Sequence, residues 1–304
     1  MPVLATPFSL DGAVDYQSLD KEIGFQATAG CEAVAIFGFA SEFYKLGENE
    51  RESILERAVA RCHSVSMSLV ASVSDQSTEQ AVKTARKYQS MGATGLMLLP
   101  PYSVPSSSAG IQRHISRVAG SVSLPILLQY APKDTNLNLG LDDIEAICGS
   151  NENIVGIKLD GPNLGRLVSE ITGRLSGRID VLIGYAGVQM IEALSRGATG
   201  IMPGASLTDI YTALFRDYST GRSEQAAVDH ERLLPFLSRI FTSIESIIKW
   251  EKKILMMRGL IGSDYCRHPG FEPDEYELEA FKQGYRRIAD YFAQRGVFIG
   301  ERQG

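Results

Sequence analysis

The feature that most constrains this chain is a recurrence. Short apolar runs rich in β-branched residues stand at 3–6, 33–37, 68–73, 95–99, 125–129, 154–158, 181–183 and 200–202. They return roughly every 30 residues, the length of a strand–helix–strand unit, and each is followed by an amphipathic stretch of helical period. Such alternation implies parallel strands buried on both faces by helices. Eight units within residues 1–220 imply an α/β fold closed as a (β/α)8 TIM barrel. A doubly wound sheet would instead place a glycine-rich phosphate turn after the first strand, where this chain reads Thr6-Pro-Phe-Ser-Leu-Asp-Gly12.

Helix signals fit the same division. Asp15 caps a helix expected to run to Ala29, and Gly30 ends it. Gly47-Glu-Asn-Glu50 opens the next, with carboxylates where the helix dipole favours them. After about Thr220 only helical periodicity remains, at 224–240, 243–258 and 274–293. No Pro/Ser-rich linker intervenes, and a hydrophobic fraction of 44% is enough for one large core. The expectation is a single domain, 1–304, with the barrel at 1–220 and a C-terminal helical extension at 221–304 packed on it.

Charge and composition exclude several functions. The net charge is -6 and no Lys/Arg cluster interleaves with aromatics, which argues against nucleic acid and for small-molecule partners. The start, Met1-Pro-Val-Leu-Ala-Thr-Pro-Phe8, lacks a leader's basic and apolar regions, and no apolar run reaches membrane length, so a cytoplasmic protein without membrane association is expected. Cys31, Cys62, Cys148 and Cys266 form no C-x-x-C pair and read as reduced structural thiols. His63, His114, His230 and His268 lack ligand spacing; helix-surface or loop positions and no metal are expected. Trp250, with Ile247, Ile248, Ile254 and Leu255 at helical spacing, reads as core or subunit contact.

In a barrel the site forms at the carboxyl ends of the strands, so residues closing the apolar runs are the candidates. Lys158 closes Asn153-Ile-Val-Gly-Ile-Lys158. An amine in a dry barrel mouth loses part of the advantage of its charged form and can attack a carbonyl. A surface lysine at a strand end is the alternative reading.

Thr6-Pro-Phe-Ser-Leu-Asp-Gly12, Gly38-Phe-Ala-Ser-Glu42 with Leu46 and Glu50-Arg51, Pro100-Pro-Tyr102, Gly156-Ile-Lys158 and Gly197-Ala-Thr-Gly200 follow in order across nearly the whole chain. In these markers the sequence resembles the dihydrodipicolinate synthase / N-acetylneuraminate lyase family. The resemblance implies a barrel with a helical extension, a homo-oligomer (tetramer or dimer), and Lys158 as the residue that forms an imine with a 2-oxo acid. No cofactor beyond that covalent imine is implied. The turn holding Phe39 and Ala40 would bind the substrate carboxylate through backbone N–H groups, a task indifferent to side-chain identity.

Departures from the family pattern are informative. Phe39 stands where the family's first relay threonine falls, and Ser41 adds a hydroxyl two positions on. Gln129 occupies the place of the catalytic tyrosine; Tyr130 is next to it, a candidate for proton transfer or a packing residue, because neighbouring strand residues face opposite ways unless a bulge intervenes. The second relay tyrosine falls at Ser103, with Tyr102 retained beside it, and the dicarboxylate-binding arginine at Asp134. Gly184, opening Gly184-Tyr-Ala-Gly187, lines the distal sugar pocket or forms a plain turn. Gln129, the Ser41-Glu42 pair, Asp160 with Pro162, and Arg267-His-Pro269 resemble the branch containing L-2-keto-3-deoxyarabonate dehydratase.

The function expected is a Schiff-base lyase, by preference a dehydratase of a 2-keto-3-deoxy sugar acid, with Lys158, Tyr130 and Ser41 as the catalytic set. Alternatives are a pyruvate-dependent aldolase or condensing enzyme, and, in another class, a barrel that binds a 2-oxo acid without turnover.

Overall fold

The computed structural model describes residues 1–175 and 177–297. Its strands are β1 (Ala33–Ile36), β2 (Ser68–Val73), β3 (Gly95–Leu98), β4 (Ile126–Tyr130), β5 (Ile154–Leu159), β6 (Asp180–Ile183) and β7 (Gly200–Ile201). Its helices are α1 (Tyr16–Thr28), α2 (Glu48–Ser64), α3 (Thr78–Ser90), α4 (Ser108–Ala119), α5 (Pro132–Thr135), α6 (Leu141–Ser150), α7 (Leu164–Leu175), α8 (Met190–Ser195), α9 (Thr208–Ser219), α10 (Ser223–Ile240), α11 (Ile244–Met257) and α12 (Glu275–Gln294). Strand and helix alternate in the order of the (β/α)8 class, and α10 to α12 follow as the helical extension.

The chain packs as two compact units. One holds Met1 and Ser68–Pro203, the other Pro2–Met67 and Gly204–Gly304.

In the first unit β2 to β7 pair in parallel, each with the next in chain order. β3 and β4 are buried throughout and β5 everywhere but Val155, as a parallel sheet covered on both faces demands. Gly156 permits the tight spacing: a Cβ there would lie 2.7 Å from Leu127 Cδ2 and 3.0 Å from the Asp180 carbonyl oxygen. A register shift between Ile126 and Leu127 then aligns Gln129 with Lys158 and Tyr130 with Leu159. His114 is buried in α4, not on a surface, because Thr78 Oγ1 stands 3.0 Å from its Nδ1 and gives the ring a polar partner.

In the second unit the first apolar run makes only parallel bridges from Val3 to Ala35 and to Gly204. The Ala5 N–H donates to Glu22 Oε1 at 2.9 Å and not to a neighbouring strand, which interrupts the ladder after Leu4. Caps follow the sequence: Asp15 accepts from Ser18 N, Ser243 from Ser246 N and Asp274 from Glu277 N. Trp250 stacks on Phe281 at 4.2 Å, so of its two readings core is the one realised. His230 is likewise buried, in α10, whereas His63 and His268 are exposed. Cys31, Cys62, Cys148 and Cys266 are free thiols. Among the described residues no helix is long and apolar enough to cross a membrane.

Candidate active site

Lys158 is the fifth residue of β5 and is only 6% exposed. Its Nζ lies 3.3 Å from Asp160 Oδ2. Asp160 sits one residue past the strand, where its N–H donates to the Tyr130 carbonyl at 2.9 Å. Its carboxylate gathers two further donors: Gln129 Nε2 to Oδ2 at 2.9 Å and the Tyr185 N–H to Oδ1 at 3.1 Å. Three elements therefore meet on one buried carboxylate, β4 through Gln129, β5 through Lys158, and the turn after β6 through Tyr185. The Gln129 amide has a plain use here, since it donates to Asp160 and is neither an acid nor a base near neutral pH.

Gly184 makes the arrangement possible. A Cβ at that position would fall 1.8 Å from Asp160 Oδ1 and 2.9 Å from Lys158 Cε, so only glycine lets the turn pass over the pair. The next two residues, Tyr185 and Ala186, have φ of 53° and 51°, a left-handed run without glycine. Lys133, just past β4, donates from Nζ to Tyr185 Oη at 2.8 Å. Asp134 shares this field: desolvation, then the charge of Asp160, holds its carboxyl above the usual range, while Lys133 and Lys158 pull it down.

Tyr130 faces away from Lys158, as strand alternation requires. Its phenol donates to the Leu139 carbonyl at 3.2 Å, and burial pushes its pKa up. Tyr102 lies in the loop after β3, where Gln76 Oε1 accepts from its N–H and from that of Ser103, both at 2.9 Å.

Phe39, Ala40 and Ser41 belong to the other compact unit, where Phe39–Ser41 form a 3-10 turn. The Ser41 hydroxyl donates to the Leu4 carbonyl at 2.6 Å, and Thr6 Oγ1 donates to the Ser41 carbonyl at 2.6 Å. Glu42 follows in the left-handed region at φ 53°, fully buried. Its carboxylate is held by Lys252 Nζ, by Lys45 Nζ at 3.2 Å and by the Arg267 N–H at 3.1 Å. Lys252 is itself fully buried; burial pushes its pKa down and Glu42 opposes that.

Of the residues singled out from sequence, Lys158, Gln129 and Gly184 converge. Asp160 and Glu42 had been noted only as branch markers and Tyr185 only within the Gly184-Tyr-Ala-Gly187 stretch, while Lys133 and Lys252 had not been noted at all. Two had a usable signal. Asp160 is two residues beyond Lys158 and so shares its face of the strand. Lys252 falls on the stripe of Ile248 and Leu255, the buried face of α11.

The model of the dihydrodipicolinate synthetase family matches residues 1–286. A 4-hydroxy-tetrahydrodipicolinate synthase of Methanococcus aeolicus is 25% identical over 288 residues, 93% of this chain and 97% of that one. The synthase of Aquifex aeolicus is 30% identical over 199 residues, 66% of each. Among solved structures, 4-hydroxy-tetrahydrodipicolinate synthase from Methylacidiphilum fumariolicum SolV is 26% identical with a TM-score of 0.90, covering 98% of this chain and 99% of that one. A prophage protein of E. coli K12, described as belonging to the dihydrodipicolinic acid synthase family and solved in complex with pyruvate, has a TM-score of 0.87 over 94% of this chain and 98% of its own; at 22% identity it shows likeness of fold.

Proposed function

Because this chain belongs to the dihydrodipicolinate synthetase family, we propose that Lys158 forms an imine with a 2-oxo acid and that the reaction is loss of water from a 2-keto-3-deoxy sugar acid. The observation that carries this reading is the contact of Lys158 Nζ with Asp160 Oδ2 at 3.3 Å. The amine attacks the C2 carbonyl and water leaves, giving an iminium that acidifies the C3 proton. Asp160 takes that proton, and Gln129 holds the carboxylate in place for it. The enamine then expels the C4 hydroxyl. No cofactor is required, because the imine itself is the electron sink.

The named relatives are synthases, which favours a second reading: condensation of the enamine with an aldehyde, or its reverse. Asp134 argues against the dicarboxylate product of that reaction, since it puts an anion where the family pattern has an arginine. Borohydride reduction in the presence of pyruvate, followed by mass spectrometry of the Lys158 peptide, tests the imine; an unmodified Lys158 at saturating pyruvate overturns it. Product analysis with 2-keto-3-deoxypentonate separates the two reactions. A semialdehyde without pyruvate supports dehydration, and pyruvate as the main product rules it out. The same reading includes a homo-oligomer, dimer or tetramer, which sedimentation velocity would measure.

A further inference from the structure

Loss of a C4 hydroxyl needs a proton donor as well as a base, and Gln129 cannot be one. β4 and β6 are the two neighbours of β5. Adjacent strands lie about 4.8 Å apart, so β4 and β6 are roughly 10 Å apart with β5 between them. Yet Lys133, three residues past β4, and Tyr185, two residues past β6, meet at 2.8 Å, with the ammonium 5.4 Å from the ring centroid. Their contact therefore crosses the carboxyl end of β5, where Lys158 and Asp160 stand. Tyr185 is moored there a second time, by its N–H on Asp160 Oδ1 at 3.1 Å.

We infer that Tyr185, held across the end of β5 by Lys133, is the acid that protonates the departing C4 hydroxyl. This rests on the dehydratase reading above. Asp160 removes the C3 proton from the iminium to give the enamine. The nitrogen lone pair then re-forms the C2 iminium, the C2–C3 π pair becomes the C3–C4 double bond, and the C4–O bond breaks. The leaving oxygen takes the Tyr185 Oη proton and departs as water. The Lys133 ammonium offsets the charge left on the phenolate. Water then hydrolyses the unsaturated iminium and frees Lys158, and return of the proton from Asp160 to Tyr185 resets the site, so the net change is substrate less one water. Tyr185 is partly exposed, as a group that must touch substrate has to be.

Tyr185→Phe in the full chain tests this, with three readouts: borohydride trapping with pyruvate, turnover of 2-keto-3-deoxypentonate, and turnover of its 4-fluoro analogue, whose fluoride leaves without a proton. Trapping is expected to be unchanged, which also shows the variant folded. Water loss should fall by about 100-fold or more, the usual effect of removing a general acid. Fluoride loss should stay within a few-fold of the parent. Lys133→Met should show the same split in weaker form. Unchanged water loss in Tyr185→Phe, or an equal fall on both substrates, overturns the role of Tyr185 while leaving the dehydratase reading intact. A parent chain that traps no imine, or releases no water, fails earlier and removes the premise for both.

Discussion

Asp160 is the residue on which the candidate site turns, and its neighbours say what substitution would do. Asp160→Asn keeps the size and loses the base, so imine trapping should persist while turnover falls by roughly 100-fold or more; loss of trapping instead would mean the carboxylate serves imine formation. Gly184→Ala forces a Cβ into the Asp160 carboxylate and should cost about 1–3 kcal/mol in stability together with activity, measured by denaturant unfolding and turnover. Glu22 gives the clearest pH signature. Burial pushes its carboxyl up to about 8, with Glu251 adding to the effect and the Ala5 N–H opposing it. Between about 4.5 and 8 the folded chain holds a proton that the unfolded chain has released, so stability should fall as pH rises through that window by up to about 1.4 kcal/mol per unit. Glu22→Gln should remove this contribution to the slope; an unaltered pH–stability curve would contradict it. Lys158 was legible because a lysine that closes an apolar strand is conspicuous. Lys133 and Tyr185 were not, since nothing local in either loop announces a contact between residues 52 apart.

Elements were read well where the period was long and the caps were ordinary. α1 begins at the Asp15 cap expected for it, and α11 and α12 are capped by Ser243 and Asp274, the first residues of the stretches 243–258 and 274–293. The first apolar run was overread: its composition is that of a strand, but its Ala5 N–H is given to the Glu22 carboxylate and only single bridges remain. The lysine on the buried face of α11 also escaped notice. Lys252 occupies a core position and neutralises Glu42 at the end of the Phe39–Ser41 turn, so this helix and that turn share a buried ion pair. Removing one partner of a buried pair costs about 3–5 kcal/mol, whereas replacing both by apolar residues of similar volume is often close to neutral. Lys252→Met should therefore destabilise strongly, and Lys252→Met combined with Glu42→Leu should recover much of the loss. A double variant no better than the single one would mean that Lys45 and the Arg267 N–H, rather than Lys252, anchor Glu42.

At the scale of the molecule, the strand–helix alternation identified the (β/α)8 class before any coordinates, because its period is set by backbone geometry and survives changes in almost every side chain. Periodicity carries no information about which distant segments share a core, and Pro2–Met67 groups with the chain after Gly204 without any signal of it in the pattern. The single-domain reading predicts one cooperative unfolding transition, with far-UV and tryptophan signals superimposable in denaturant; two resolved steps would make the units domains in their own right. Their composition bears on synthesis. The unit of Ser68–Pro203 is contiguous apart from Met1, and its sheet can assemble while later codons are still being read. The other needs Pro2–Met67 together with the chain after Gly204. Residues 2–67 leave the ribosome well ahead of Gly204, so Val3 finds that partner only after the whole of Ser68–Pro203 has been made. Nascent chains arrested before that point should leave this segment open to protease and to chaperones, so a part synthesised before the Ser68–Pro203 unit is secured after it.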